Sequence, residues 1–184
     1  MDWAPIFQSK VSEYSQGDQW QLQFDDTITK QQDAGWEQYE RTIFARFKCS
    51  LCRRTWPSNL VKVIFHFRLN SHQGMVKARA FRQNCKKCTN APMEDLIVED
   101  EVINILMDNL VKNIRKKCYH EIFDYVPREH TGVEVENPHE PAHCEGCRAG
   151  VCVGGAALPN VRLFHGGRGR GGRGRGGRGR GHRY

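Results

Sequence analysis

Apolar residues recur along this chain with two different periods, and the change of period divides it into elements. In the middle of the chain every second residue is apolar, which is typical of a half-buried strand; these residues are Val61, Val63, Phe65, Phe67 and Leu69. A turn signal follows at residues 70–74, and residues 75–83 return as a second strand. The pattern predicts a hairpin over residues 60–83.

After Pro92 the apolar spacing changes to that of a helix. One apolar face is formed by Leu96, Ile103, Leu106, Leu110 and Ile114. Acidic residues crowd the start of this segment and basic residues close its end, an order that complements the helix dipole. We therefore expect a long helix near residues 95–117.

The first residues of the chain predict a second helix. Apolar side chains recur there at steps of three and four; they are Trp3, Ile6, Phe7, Val11 and Tyr14. A short strand is expected where Trp20, Leu22 and Phe24 alternate with glutamine. The predicted fold class is α+β, a small antiparallel sheet packed by an N-terminal helix and the long helix.

The last 19 residues have a composition of their own. Residues 166–184 contain ten glycines and seven arginines, too little apolar surface to offset the entropy of ordering the chain. The expected organisation is a domain at residues 1–153 with its zinc-finger core at 46–153, a linker at 154–165 and a disordered Gly/Arg-rich tail at 166–184.

Charge is concentrated in two regions of the chain. The tail carries seven of the 28 Lys and Arg residues, so residues 1–165 are formally neutral. Within them, residues 46–92 hold eleven basic residues and no acidic one. This segment either presents a positive surface to phosphates or is neutralised by acidic segments at 1–45 and 93–108.

Eight cysteines set the candidate chemistry. The first residues lack the basic start and apolar core of a signal peptide, and no stretch approaches the ~20 apolar residues of a membrane-spanning helix. We therefore expect a soluble, cytoplasmic chain in a reducing compartment, where thiolates are free to bind metal.

Two cysteine pairs lie at opposite ends of the predicted hairpin. Each of Cys49–Cys52 and Cys85–Cys88 has two intervening residues, the spacing of a knuckle that supplies two corners of a zinc tetrahedron. Because pairing the strands brings the knuckles together, we expect one Cys₄ zinc site formed by these four residues.

A third pair, Cys144 and Cys147, suggests a second zinc ion. Cys152 is the nearest further ligand; His143, His139, Cys118 and His120 are held in reserve. Alternatively, the three pairs share ligands in a way that spacing does not resolve. Cys118 falls on the apolar face of the long helix and is better interpreted as a core residue, and His66 and His72 as hairpin surface.

Catalytic uses of these residues fit less well. A redox Cys-x-x-Cys needs one pair in a βαβ setting, and a zinc deaminase needs His-x-Glu followed by Pro-Cys-x-x-Cys. The segment His143-Cys-Glu145 matches the first deaminase element but overlaps the third pair. We find no catalytic set and predict that the protein is not an enzyme and has no small-molecule substrate.

Several segments together resemble a known family. FARFKCSLCRRTWPS, FRQNCKKC, KKCYHE and HCEGCRAGVC, in that order and with the lead-in GWEQYERTIFARF, are similar to the 3CxxC-type zinc-finger domain of the receptor-transporting proteins. The resemblance covers roughly residues 1–153 and is strongest to the interferon-induced branch and its fish relatives. It implies a cytosolic adaptor that binds chemosensory and other G-protein-coupled receptors and promotes their targeting to the membrane; for the interferon-induced branch it also implies antiviral defence involving viral RNA.

One departure concerns the end of the chain. Many members of that family end in a hydrophobic membrane segment, whereas this sequence has Gly/Arg repeats, so we expect at most peripheral contact with membranes. Arginine forks and flexible glycine suit single-stranded RNA. The candidate nucleic-acid-binding residues are Arg168, Arg170, Arg173, Arg175, Arg178, Arg180 and Arg183. Acidic proteins or anionic lipid are the alternative partners of this tail.

Overall fold

A four-stranded sheet forms the centre of the computed structural model, which describes residues 3–14, 17–122 and 139–152. In chain order the elements are α1 (Ala4–Ser12), β1 (Gln19–Phe24), β2 (Glu37–Lys48), β3 (Thr55–Asn70), β4 (Gln73–Ala80), β5 (Gln83–Asn84), β6 (Met93–Glu94), α2 (Asp100–Cys118), a 3₁₀ turn (Pro141–His143) and α3 (Glu145–Arg148). The predicted linker at 154–165 and tail at 166–184 lie outside the described residues.

The sheet has the order β1-β4-β3-β2 and is mixed. The predicted hairpin is β3 and β4, antiparallel from Val63–Ala80 to Asn70–Gln73. β2 pairs antiparallel with β3, but β1 lies parallel to β4. The α+β class is confirmed; the parallel edge strand was not predicted, because alternation along β1 gives its faces and not its direction.

The main core lies between one face of the sheet and the two long helices. From the helices, Trp3, Phe7 and Val11 of the N-terminal segment and the apolar face of α2 point into it. The sheet contributes alternate residues of β3, Val61, Val63, Phe65 and Phe67, all at most 1% exposed. The sequence periods of two and 3.6 therefore meet in one apolar layer.

The long helix begins five residues later than predicted. Arg46 and Ile97 exchange two backbone hydrogen bonds of 2.8 Å, and Met93 pairs with Asn84. Residues 93–98 are thus held extended against β2 and β5, and helix starts only at Asp100. Acidic residues in its first turn and basic residues in its last fit the dipole as expected.

The other face of the hairpin is not the exposed surface that the alternation suggested. Ile64 is fully buried with Ile28, Phe81 and Val151, and His66 is 4% exposed. The interpretation of His66 as hairpin surface was therefore wrong: burial lowers the pKa of its imidazole and favours the neutral ring. The segment between β1 and β2 covers this face, a contact that spacing along β3 does not reveal.

Six of the eleven basic residues of segment 46–92 have acidic partners. Those partners come from around the sheet, as in Lys62–Glu40 (3.4 Å), Lys77–Asp25 (2.8 Å) and Arg79–Glu145 (2.9 Å). Arg46, Arg82 and Lys86 are paired in the same way. Much of the segment's charge is therefore neutralised within the fold. Four of the six acidic partners come from the expected segments 1–45 and 93–108, and the other two, Glu140 and Glu145, come from the later segment that ends in α3.

Candidate metal centre

The first cluster forms where β2 and β5 end and β3 begins. Cys49 directly follows β2, and the turn to β3 carries Cys52; Cys85 directly follows β5. With Cys88 they place four sulfurs within 4.8 Å of one another. The Sγ distances are 3.9 Å for Cys49–Cys88 and 3.8 Å for Cys52–Cys85.

These distances test whether zinc fits. Zn–S bonds of about 2.3 Å in a tetrahedron separate two sulfurs by about 3.8 Å. The Cys49–Cys88 and Cys52–Cys85 sulfur distances match that edge, and all four sulfurs lie within 4.8 Å of one another. Four thiol ligands fill the tetrahedron, which is the arrangement of a structural site and not of a catalytic one.

Backbone amides and a carboxylate shape the first cluster. The Cys52 N–H points at Cys49 Sγ (3.4 Å) and the Lys87 N–H at Cys85 Sγ (3.5 Å). Ser50 donates from its N–H and its hydroxyl to Glu94 Oε1, at 2.6 and 2.7 Å. These hydrogen bonds attach the turn to β6 and orient the cysteines toward one another.

The same contacts tune the thiols. Burial by itself would raise the pKa of Cys85, but hydrogen bonds from Lys87 N–H, Cys52 and Arg54 lower that pKa to about 6. The Cys88 thiol hydrogen-bonds to Cys52 and is desolvated, which raises its pKa to about 12. One thiolate is thus stabilised in the cluster at neutral pH, a starting point for metal binding.

The second cluster consists of His139, Cys144, Cys147 and Cys152. Its ligand atoms also lie within 4.8 Å of one another, with Cys144 Sγ 3.9 Å from Cys152 Sγ and His139 Nε2 2.9 Å from Cys147 Sγ. Hydrogen bonding from Cys152 is the main cause that lowers the pKa of Cys144 to about 5. Three sulfurs and an imidazole also form a complete zinc set.

A glycine makes room for this second cluster. A Cβ atom at Gly146 would lie 2.9 Å from Cys152 Sγ and 3.3 Å from Val151 Cγ2. The Val151 N–H donates to the Gly146 carbonyl over 2.9 Å, which folds the chain back to bring Cys152 beside Cys144. Cys-x-x-Cys alone would not have produced this return.

The reserve ligands of the sequence analysis are now distinguished. His139 enters the second cluster, while His143 Nδ1 lies 2.9 Å from Asn84 Oδ1 instead. Cys118 packs against the main core, and His120 belongs to neither cluster found in the described residues. A signal for His139 was available: it precedes Cys144 by five residues, as Cys152 follows Cys147 by five.

Comparison with known proteins places this geometry in a family. The 3CxxC zinc-ribbon model of a zinc-binding domain matches residues 42–150, more than half of the chain. Receptor-transporting protein 3 of Mus musculus is 34% identical over 156 residues, 82% of this chain and 33% of the relative. Receptor-transporting protein 2 of the same organism is 32% identical and covered over 69% of its length. The chain belongs to the receptor-transporting protein family.

The matching domain is a zinc-binding one, which confirms the prediction that the metal of this ribbon is zinc. Receptor-transporting protein 4 of Homo sapiens, 32% identical with 82% of this chain and 63% of the relative covered, is as similar as the others, so identity does not assign the chain to one member. The chain spans from about a third to about two thirds of these curated relatives. No solved structure matches it.

None of the helices within residues 3–14, 17–122 and 139–152 is long and apolar enough to cross a bilayer. The seven arginines of the tail, residues 166–184, lie outside the described residues. Their binding to nucleic acid therefore stays a prediction.

Proposed function

We propose that this protein is a zinc-stabilised adaptor that binds G-protein-coupled receptors, of the chemosensory type, and promotes their targeting to and insertion in the cell membrane. The observation that carries the proposal is membership of the receptor-transporting protein family over 82% of the chain. Both metal clusters support a non-enzymatic role, because each offers four protein ligands and leaves no open coordination position.

In this proposal zinc acts through the fold. We assign one ion to Cys49, Cys52, Cys85 and Cys88, and a second to His139, Cys144, Cys147 and Cys152. The ions hold the turn after β2, the turn after β5 and the α3 segment against one end of the sheet. The receptor-binding surface is then a property of the folded domain and not of the metal.

Receptor export tests the proposal directly. A tagged chemosensory-type receptor is co-expressed with the full chain, with a Cys52→Ser variant or with a Cys118→Ser control, and its surface level is measured by antibody on intact cells. We expect the wild type and the control to raise surface receptor and Cys52→Ser to fail. No change with the wild type across a panel of such receptors would refute the adaptor role.

We also propose that the protein is cytoplasmic and contacts intracellular membranes only peripherally. The described helices provide no span, and the predicted Gly/Arg tail is hydrophilic. Carbonate extraction of cell membranes should release the protein into the supernatant. Retention in the pellet would overturn this part of the proposal.

A second candidate function, RNA binding in antiviral defence, has one structural observation in its favour. Around the first cluster, Lys48, Arg53, Arg54 and Lys87 have no acidic partner in the described part of the chain, unlike the six paired basic residues. A Cys₄ zinc centre contributes a net charge of about −2, and the positive charges of these side chains offset it. The charges of Lys48, Arg53 and Lys87 remain available to phosphates, together with the seven tail arginines, whereas Arg54 donates to Cys85 Sγ.

Salt dependence and tail deletion test RNA binding. Affinity for a single-stranded RNA oligomer should fall steeply between 50 and 200 mM salt. Deletion of residues 166–184 should weaken it, and Lys48→Gln with Lys87→Gln should weaken it further. Crosslinking to RNA in infected cells then checks the antiviral setting. Affinity that neither change alters would exclude this function for both regions.

A further inference from the structure

Strand β1 is an edge strand with an unusual lack of protection. Its sequence, QWQLQF, contains no charged residue and no proline, and its pairing with β4 runs over six residues without a bulge. Natural sheets block their edges with charges, prolines or bulges, since a bare edge invites another strand. The opposite edge, β2, has such protection: it carries Glu37, Glu40 and Arg41 and is bridged to Ile97.

Within residues 3–14, 17–122 and 139–152, no group pairs with the backbone on the outer side of β1. Gln19 N–H donates to His72 O and Asp25 N–H to Ala78 O, both at 2.9 Å. The backbone N–H and C=O groups of the odd-numbered residues of β1 therefore point toward β4. In a parallel strand the peptide groups alternate in direction. The N–H and C=O groups of Trp20, Leu22 and Phe24 therefore point outward, and none of them has a hydrogen-bond partner among the described residues.

A groove runs beside this edge. It has a volume of about 400 Å³ and lies between the start of α1 and β1; its lining residues are Ala4, Pro5, Gln8, Trp20, Gln21 and Leu22. Trp20, 2% exposed, forms part of the lining, and Phe24 beyond it is 41% exposed. A strand placed on the edge would direct alternate side chains into this groove.

We propose that β1 is a strand-addition site for an extended segment of a partner protein, with apolar residues alternating with uncharged polar ones. The polar positions would lie beside Gln19 and Gln23, which alternate with Trp20 and Leu22 and therefore point to the other face of the strand. The apolar positions would enter the groove against α1. Backbone hydrogen bonds supply affinity in this mode, and the side-chain groove supplies selectivity.

A second copy of the chain fits this edge poorly. Its own β1 side chains on the groove side, Trp20 and Leu22, already pack in its own core and are not available to fill a neighbour's groove. Pairing two such edges would leave both grooves empty. The occupant is therefore a different segment, and self-association is one outcome that the experiment examines.

Hydrogen exchange measured by NMR on the full, zinc-loaded chain tests the free state. The amides of Trp20, Leu22 and Phe24 should exchange fast, while those of Gln21, Gln23 and Asp25 should be protected, an alternation with period two. Protection of all six in the dilute free protein would mean that the chain covers its own edge, and protection that rises with protein concentration would mean that a second copy does. Either result overturns the proposal.

Binding is tested with a labelled decapeptide in which leucine and threonine alternate. Its control peptide has the same composition with the leucines and threonines in separate blocks. We expect the alternating peptide to bind at least tenfold more tightly and to slow exchange at Trp20, Leu22 and Phe24. Equal binding of the two peptides, or binding of neither, would refute strand addition.

A groove-filling variant locates the site. Gln8→Trp places a large side chain in the groove from an exposed position of α1, and Ser9→Trp, next to it but outside the lining, is the matched control. Gln8→Trp should weaken binding of the alternating peptide at least tenfold and Ser9→Trp should not; equal affinities would exclude this groove. The inference is independent of the receptor role, since peptide binding and receptor surface level are separate readouts.

Discussion

At the scale of single residues, the eight cysteines fall into two groups according to their surroundings. Seven of them belong to the two clusters, where the ligand atoms of each cluster lie within 4.8 Å of one another. Cys118 is different: it packs against the main core at the end of α2, and burial, with a contribution from Glu37, raises the pKa of its thiol to about 11. It should therefore behave as an unreactive core residue.

Zinc content should distinguish the two groups. The full chain should carry two zinc ions, Cys144→Ser should carry one, and Cys118→Ser should still carry two. Elemental analysis of the purified proteins measures this. A wild type with a single ion would remove the second site, and a loss of zinc in Cys118→Ser would show that the core assignment of that thiol is wrong.

Tyr119 links the end of α2 to the start of β1 through its hydroxyl. Trp20 Nε1 donates to the hydroxyl over 3.0 Å, and the hydroxyl donates to Asp18 Oδ2 over 2.7 Å. Burial, followed by the Asp18 hydrogen bond, raises the pKa of Tyr119 to about 12, and the same hydrogen bond is the main cause that lowers the pKa of Asp18. The pair stabilises the native state with the phenol neutral and the carboxylate charged.

Tyr119→Phe should destabilise the protein by about 1–3 kcal/mol, because the Trp20 indole loses its acceptor and Asp18 a donor. Since the pKa of Asp18 is lowered below its usual 3.8, its contribution is present above that pH and is lost as the pH falls. Urea unfolding at pH 7 and pH 3 should show a smaller difference between wild type and variant at pH 3. An equal difference at both pH values would contradict the coupling.

The sequence predicted the role of a residue where that role depends on local spacing, but not where it depends on contacts made in the folded chain. Cys-x-x-Cys requires only a local turn, so all three pairs were recognised. His139 required knowledge of how residues 139–152 fold back, and His66 required knowledge of what covers the hairpin. Both depend on contacts between distant segments, which periodicity along one strand does not contain.

At the scale of elements, a single carboxylate joins the α3 segment to the hairpin. Glu145 accepts hydrogen bonds from Arg79 Nη2 (2.9 Å) and from the Arg82 N–H (2.8 Å), and the Arg82 side chain adds a third. Its own N–H donates to Arg82 O, and Cys144 beside it bridges to Gln83. The second cluster is thereby fixed near the first, since Cys85 follows two residues after Gln83.

Glu145→Gln should destabilise the protein by about 2–3 kcal/mol, because the largely buried Arg79 guanidinium loses its counter-charge and Arg82 keeps only the exposed Asp26. Asp108→Asn, which removes the half-exposed partner of Lys10, should cost less than about 1 kcal/mol and is the control. Denaturant unfolding measures both. Equal effects of the two substitutions would mean that Glu145 does not hold α3 in place.

Close packing of β1 against β4 depends on a glycine. A Cβ atom at Gly74 would lie 2.1 Å from the Trp20 ring. Gly74→Ala should therefore force the indole aside and cost about 1–3 kcal/mol, whereas Gln73→Ala at the exposed neighbouring position should be nearly neutral. Thermal unfolding checks the difference. An unchanged midpoint in Gly74→Ala would show that the edge strand moves without cost.

The sequence predicted helices and strands correctly where the residues that determine them lie close together along the chain. The hairpin and both helices were predicted, because alternation, a turn and dipole-matched charges all lie within each segment. The start of α2 was not, since the Arg46–Ile97 bridge that keeps residues 93–98 extended joins positions about 50 apart. The parallel pairing of β1 with β4 depends in the same way on a distant partner.

For the whole molecule, the apolar core and the metal clusters occupy different places. The main core lies between the helices and the sheet, and the first cluster shares only a small apolar group with Ala91 and Trp56. None of the seven ligand cysteines belongs to the main core. By contrast, contacts between metal ligands hold the ends of β2 and β5 and the segment 139–152. These contacts take the place of a large apolar core there.

Zinc removal should therefore unfold one end of the molecule first. On treatment with a strong chelator, we expect amide exchange to accelerate in residues 49–54, 85–94 and 139–152, while β3, β4 and the buried face of α2 stay protected. Hydrogen exchange with mass spectrometry resolves these segments, and restoring zinc should restore protection, which separates metal loss from irreversible damage. Simultaneous loss of protection in β3, β4 and α2 would instead mean that core and clusters form one cooperative unit, in which zinc binding energy is required for the entire fold.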